Sequence, residues 1–202
     1  GAVLGAIPQD LKFGGEDSTV VIGDNTTIRE YVTINRGTED REETTVGNNC
    51  LLMAYVHIAH DCIISDNVIL ANSTQIAGHV EVGEYTILGG STLVHQFVKI
   101  GRHAMISGGS LVRKDVPPYT KAAREPLSYE GVNSIGLRRR NFTSDKIAEI
   151  QQVYRLLYVR GYNTAKAVKI IEAEMQATKE RDEILQFIKA SGRGVMKGYF
   201  NK

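Results

Sequence analysis

Between Val46 and Val112, every sixth residue is Val, Leu or Ile. The row reads Val46, Leu52, Ile58, Ile64, Leu70, Ile76, Val82, Leu88, Val94, Ile100, Ile106 and Val112. An α-helix repeats at about 3.6 residues and a strand at about two, so neither produces this spacing. A period of six predicts a parallel β-helix in which each hexad forms one flat side of a coil. Two residues before these positions stand small or β-branched residues: Val56, Cys62, Val68, Thr74, Val80, Thr86, Thr92, Val98, Ala104 and Ser110. The position just after is often small as well, as in Gly47, Ala59, Ala71, Ala77, Gly83, Gly89 and Gly101. A narrow prism takes one bulky aliphatic residue per side and small residues where the chain turns.

With three sides per coil, residues about 18 apart stack at the inter-strand spacing of roughly 4.8 Å. His60 then lies beneath position 78, and position 78 beneath position 96. His79 and His95 are each one residue from that column. Three of the five histidines therefore converge on one edge.

The net charge of +1 conceals an asymmetry. Residues 1–118 hold 8 Lys and Arg against 14 Asp and Glu, whereas residues 119–202 hold 16 against 9. A basic C-terminal region suits an anionic partner or, equally, a solvated helix surface. Cys50 and Cys62 both fall two residues before an aliphatic row position and are expected to point inward as free thiols, as in a reducing cytoplasm. No apolar run approaches the ~20 residues of a membrane span, and the first eight residues lack the charged and apolar regions of a signal peptide.

The same period runs earlier through Ile22, Ile28 and Ile34, and breaks across residues 36–45, a polar segment expected to project as a loop. Residues 9–18 are a second expected loop. The solenoid is expected from about Ile22 to Val116, closed by Pro117-Pro118. Beyond Tyr119 the period becomes helical. A helix capped by Thr143 or Ser144 carries Ile147, Ile150, Val153, Tyr154 and Leu157, and stops at Gly161. A second opens at Asn163-Thr164, a third surrounds Ile184, Leu185, Phe187 and Ile188, and a shorter one is expected across residues 129–140. Residues 1–118 thus form one unit, a β-helix, and residues 119–202 a second, helical one able to cap it.

The segment His57-Ile58-Ala59-His60-Asp61 carries the chemistry. A histidine is a suitable general base near neutrality, and a carboxylate can orient it and stabilise its cation. Side chains of strand neighbours point to opposite faces, so Asp61 reaches His60 only if the pair occupies a corner. His79 and His95 share that edge; His103 does not.

These segments, with Ala77-Gly78-His79 and Val94-His95-Gln96-Phe97, closely resemble the UDP-N-acetylglucosamine acyltransferases of lipid A synthesis. So do Pro8-Gln9-Asp10-Leu11-Lys12, Arg36-Gly37-Thr38, Asp115-Val116-Pro117-Pro118-Tyr119, Gly131-Val132-Asn133 and Gly136-Leu137-Arg138-Arg139-Arg140. The resemblance covers essentially the whole chain. It implies a left-handed β-helix, a cytoplasmic homotrimer with active sites between subunits, and no cofactor. It also implies transfer of a 3-hydroxyacyl chain from acyl carrier protein to the glucosamine 3-hydroxyl of the sugar nucleotide. By that resemblance His60 is the general base, Asp61 its orienting partner, and the Gly78 N–H the oxyanion donor. His57, Asp10 and Lys12 would contact acyl chain or sugar, and His79, His95 and Gln96 would line their pocket. Asn133, Arg139 and Arg140 would meet the uridine diphosphate, and Gly108 would line the far end of the acyl groove, leaving it open to a long 3-hydroxyacyl chain. Members of the family begin several coils earlier, so the chain is expected to enter its solenoid partway along. Ser134-Ile135 replaces a more polar pair common in the family.

Two rival readings have their own tests. A zinc enzyme of the γ-carbonic-anhydrase type uses the same prism and would recruit His60, His79 and His95, at the cost of leaving Asp61 and the arginines unexplained. A non-catalytic scaffold would show no turnover of a carrier-bound thioester.

Overall fold

The protein, described by a computed structural model over residues 1–198, is a three-faced parallel β-helix followed by four helices. The last four residues of the expected helical unit, 199–202, lie outside the described residues. Each face is a ladder of parallel strands, mostly two residues long. The first face runs Val3–Ala6, Thr33–Asn35, His57–Ile58, Gln75–Ile76, Leu93–Val94, Leu111–Val112. The second runs Thr19–Ile22, Glu43–Val46, Ile63–Ile64, Glu81–Val82, Lys99–Ile100. The third runs Thr27–Ile28, Leu51–Leu52, Ile69–Leu70, Ile87–Leu88, Met105–Ile106, Thr120–Ala123.

All twelve members of the aliphatic row are buried, none more than 3% exposed. Each such side chain removed from water contributes about 1.5–3 kcal/mol, which is why the row sets the register. The small row from Val56 to Ser110 is buried too, and so is Cys50; both cysteines are free. Partners across the regular coils are 18 apart, as in His57 with Gln75 and Gln75 with Leu93.

The corners obey a third rule. Asn49, Tyr55, Asp61, Asn67, Ser73, His79, Tyr85, Ser91, Phe97 and His103, again six apart, all have φ between 55° and 64°, and Gly109 follows at 71°. This left-handed conformation is costly for β-branched side chains, and the row contains none. Corner residues one coil apart stack outside the prism. The His79 and Phe97 rings lie 4.4 Å apart, and Tyr85 and His103 lie 5.1 Å apart.

Three expectations need correction. The β-helix already includes Val3–Ala6, which pairs with Thr33–Asn35, well before Ile22. The break expected over residues 36–45 is shorter, because Glu43–Val46 is already a strand. Partners flanking this loop are 24 apart, as in Thr33 with His57, so the loop inserts six residues into an otherwise regular coil. The helix expected over residues 129–140 is instead a strand, Ser128–Val132, turning back antiparallel on Thr120–Ala123, and then a short helix, α1 (Ser134–Arg139). Ser128 and Val132 are buried at the two ends of this strand and Tyr129 packs against both the prism core and the helical core, and that tertiary demand overrides the local pattern.

Helices α2 (Ser144–Tyr158), α3 (Thr164–Glu174) and α4 (Lys179–Ala190) are capped by Thr143, Asn163 and Thr178. They bury Ile147, Ile150, Val153, Tyr154, Ile171 and Ile184 in a second core around Tyr119 and Leu137. Glu183 of α4 receives hydrogen bonds from Arg102 at 2.6 Å and from the Tyr119 hydroxyl at 2.5 Å, tying the helical layer to the β-helix. Among the described residues no helix is long and apolar enough to cross a membrane.

Candidate active site

The corner between the first and second faces holds residues 60–61, 78–79 and 96–97 on successive coils, joined by His79 N–H to His60 O and Phe97 N–H to Gly78 O, each 3.0 Å. The left-handed φ of 58° at Asp61 turns its carboxylate back toward its neighbour, and Asp61 Oδ2 lies 2.7 Å from His60 Nδ1. Burial by itself would raise the Asp61 pKa, but hydrogen bonds from Thr38 and His60 outweigh it and hold the group below the ordinary carboxylate range. An ionised carboxylate only accepts, so His60 Nδ1 donates, and in the neutral imidazole Nε2 is then the acceptor.

The face of the His60 ring packs against Gly78. A Cβ placed there would stand 2.7 Å from His60 Nε2 and 2.6 Å from Cε1, so any side chain would displace the ring. The Gly78 N–H donates to no protein group among the described residues and remains available to an oxyanion. His57, one strand back on the first face, shares a 2.8 Å hydrogen bond with Thr33 Oγ1. Burial, and then the proximity of His60, lowers its pKa, so it is neutral at pH 7.

His79 stands edge-on to His60, ring centroids 5.0 Å apart, with Nε2 3.8 Å from Asp61 Oδ2 and Nδ1 3.1 Å from Asp40 Oδ2. Asp10, Lys12, Thr38, Asp40, His79 and Phe97 line an open cavity of about 500 Å³ beside this corner. His95 and Gln96 lie on the next coil, His95 Nδ1 being 3.2 Å from Gln96 O.

The remaining expected residues sit on other edges. Gly108 lies at the corner between the third and first faces, where a Cβ would come 2.9 Å from the Gly90 carbonyl oxygen. Asn133, Arg139 and Arg140 line a cavity of about 620 Å³ with Lys121 and Ile135, outside the third face. The Arg140 guanidinium lies 4.9 Å above the Tyr85 ring centroid, at the corner between second and third faces. Asn133 is 6% exposed and its side chain is engaged: its amide donates to His103 O at 2.9 Å and its oxygen accepts from Gly136 N–H. It therefore positions the start of α1, the helix that carries the arginines.

Three participants escaped the reading of the sequence. Thr38 and Arg41, on the six-residue insertion, both contact Asp61, and Lys121 adds a cation beside Arg139. The insertion's polarity announced a loop, not where it would fold. The exposed Lys121 between buried Thr120 and Ala122 was a usable signal.

One cluster among the described residues brings together possible metal ligands: His60, Asp61 and His79, within 4.8 Å of one another. The donor set does not fit zinc. Asp61 Oδ1 already accepts from the Thr38 and Arg41 N–H groups, and Oδ2 accepts from Thr38 Oγ1 and His60 Nδ1. His95 does not complete the cluster. With both oxygens committed, zinc would lack the three protein ligands it requires.

Residues 115–196 match the family described as "Udp N-acetylglucosamine O-acyltransferase; Domain 2", and residues 43–78 match "Bacterial transferase hexapeptide (six repeats)". An acyl-[acyl-carrier-protein]--UDP-N-acetylglucosamine O-acyltransferase from Sulfurihydrogenibium sp. is 56% identical over 96% of this chain and 72% of its own length. The Aquifex aeolicus protein of the same name is 57% identical over 96% and 75%. The crystal structure of a UDP-N-acetylglucosamine acyltransferase from Bacteroides fragilis superposes with a TM-score of 0.96 at 50% identity, covering 98% of this chain and 77% of that one. The solenoid is accordingly a left-handed parallel β-helix.

Proposed function

The chain belongs to the acyl-[acyl-carrier-protein]–UDP-N-acetylglucosamine O-acyltransferases, and on that premise we propose that His60 is the general base of the acyl transfer that opens lipid A biosynthesis. The observation that carries this reading is the 2.7 Å contact of Asp61 Oδ2 with His60 Nδ1, which makes Nδ1 the donor and leaves Nε2 as the acceptor of a neutral imidazole beside Gly78. His60 removes the proton of the glucosamine 3-hydroxyl as its oxygen attacks the thioester carbonyl of a 3-hydroxyacyl carrier protein. The Gly78 N–H holds the oxyanion, and the imidazolium, stabilised by Asp61, returns a proton to the departing thiolate.

Asp10, Lys12, His57, His79, His95 and Gln96 surround the sugar and acyl groups in this reading, and Asn133, Arg139 and Arg140 serve the diphosphate. An arginine fork donates two parallel hydrogen bonds to such a group. His60 and Gly108 lie on different edges of one prism and Arg139 lies outside its third face, so a single pocket containing all three requires neighbouring copies. That separation supports a homotrimer with sites between subunits. Phe97, 48% exposed beside His79, supports the same assembly. Residues 1–118 act as the catalytic solenoid, and the basic region 119–202 supplies the arginines and attracts the acidic carrier protein. Cys50 and Cys62 face inward as free thiols, burial pushing the Cys62 thiol up to about 12, which suits a cytoplasmic setting.

The test is an assay of the purified protein with UDP-N-acetylglucosamine and a series of 3-hydroxyacyl carrier proteins, alongside sedimentation. Turnover by a trimer is expected. A monomer at micromolar concentration would remove the shared site, and absence of turnover by a folded trimer would remove the reaction.

A further inference from the structure

The six residues inserted into the coil before the catalytic corner fold directly onto it. Thr38 donates to Asp61 twice, from its N–H to Oδ1 at 2.9 Å and from Oγ1 to Oδ2 at 2.6 Å. The Arg41 N–H reaches Oδ1 at 3.3 Å, while its guanidinium donates to the Asp61 carbonyl at 3.2 Å and to Glu81 at 2.6 Å. Glu81 is held in turn by Lys99 at 3.2 Å. The loop is pinned at its root by Ser18 Oγ donating to Gly37 O at 2.6 Å. The loop is thus fastened at three points, and Asp61 lies beneath it with no exposed surface.

Asp61 Oδ2 has two histidines in reach. His60 Nδ1 is 2.7 Å away and His79 Nε2 3.8 Å away. The charged and titratable groups around this pair are Arg41 and Asp40 from the insertion, Glu81 from the second face, and His57 from the first. A carboxylate free to turn about its Cβ–Cγ bond would divide its charge between the two rings. The Thr38 hydroxyl blocks this by occupying a lone pair of Oδ2, with the two N–H donors holding Oδ1.

We propose that Thr38 is a positioning residue that commits the Asp61 carboxylate to His60 rather than His79, and so determines which imidazole acts as the base. The inference deepens the general-base reading and rests on it. Thr38 commits both its N–H and its hydroxyl to Asp61 and acts through it. A lone neutral hydrogen bond is of modest net value, but one to a buried ionised carboxylate is stronger and fixes its geometry.

The test replaces the hydroxyl with an isosteric methyl. Thr38→Val keeps the N–H donor and should lower kcat roughly ten-fold while KM for UDP-N-acetylglucosamine changes less than about two-fold, since the lost interaction serves the transition state. The acid limb of the kcat–pH profile should move to lower pH, because a carboxylate shared with His79 stabilises the His60 cation less. Thr38→Ser should restore both kcat and the profile. Thr38→Ala, which removes the crowding of a second methyl, provides the same readout if the valine variant does not fold. An unmoved profile with a lower melting temperature means a structural role and overturns the proposal. An upward shift means that the hydroxyl merely drains charge from Oδ2, and also overturns it. His60→Ala, measured in parallel, separates the two levels: full activity there sinks the general-base reading, whereas loss there with wild-type behaviour of Thr38→Val sinks only this inference.

Discussion

His60 and Asp61 are sequence neighbours whose side chains meet at 2.7 Å, a contact that an extended strand forbids and a left-handed corner creates. The pairing is a by-product of the turn. If His60 is the base, His60→Ala lowers turnover by at least ~10²-fold with little change in melting temperature. Asp61→Asn should do comparable harm, because an amide can face Nδ1 with its N–H and move the imidazole proton to Nε2. Equal activity of His60→Ala and wild type in a single-turnover assay would remove the base assignment.

Gly78→Ala probes the space opposite. Its methyl would occupy the volume beside His60 Nε2, so turnover should fall by more than ~10²-fold while the β-helix stays folded, the obstacle being a side chain at the surface of the corner. A fully active alanine variant would show that the ring does not work from its observed position.

Arg139→Ala should weaken UDP-N-acetylglucosamine binding by about 1.5–3 kcal/mol, the worth of a hydrogen bond to a charged group, and leave kcat near wild type. Calorimetric titration with UDP reads this directly, and unchanged affinity would take Arg139 out of the diphosphate site.

His103 governs stability rather than chemistry. Its ring is 4% exposed between Tyr85 and Tyr119, and burial, followed by the charges of Arg102 and Arg140, lowers its pKa to about 4. An unfolded histidine titrates near ~6.5, so between there and about 4 the unfolded state binds more protons. The contribution is complete above the unfolded value and is lost as pH falls through this window. Asp61, with its lowered pKa, adds a loss of the same sign at lower pH. Urea midpoints measured against pH should therefore fall less steeply for His103→Phe than for wild type. Parallel curves would refute the neutral buried imidazole.

Gly108→Met should shift relative turnover toward shorter 3-hydroxyacyl donors, each excluded methylene forfeiting ~0.8 kcal/mol. Contact with the Gly90 carbonyl should also lower the melting temperature. A folded variant with an unaltered donor profile would place Gly108 outside the acyl groove.

Much of this was legible in the residues. The aliphatic row forced the prism, and the 18-residue register brought His60, Gly78, His79 and Gln96 to one edge before any coordinates. The corner row was equally legible but passed unread: Asn, Tyr, Asp, Ser, His and Phe recur at period six without a β-branched member. What sequence could not yield was contact made through an interruption. Thr38 and Arg41 reach Asp61 because an insertion folds across a coil, and no periodicity encodes that direction. Register alone sets His103 apart from the edge bearing His60, and its burial in an aromatic stack is tertiary.

Three faces per revolution make the length of this solenoid a discrete quantity. Excising 18 residues would shorten the axis by one rise of roughly 4.8 Å and leave every edge in phase. Excising six would preserve each hexad's packing yet rotate everything downstream by a third of a revolution, changing the angle about the axis between Arg139 and His60. Such a protein would fold, bury the same core and have its active site taken apart. Drift in chain length within the coils is therefore filtered in whole turns, and an insertion such as the one bearing Thr38 survives only by looping outside the count.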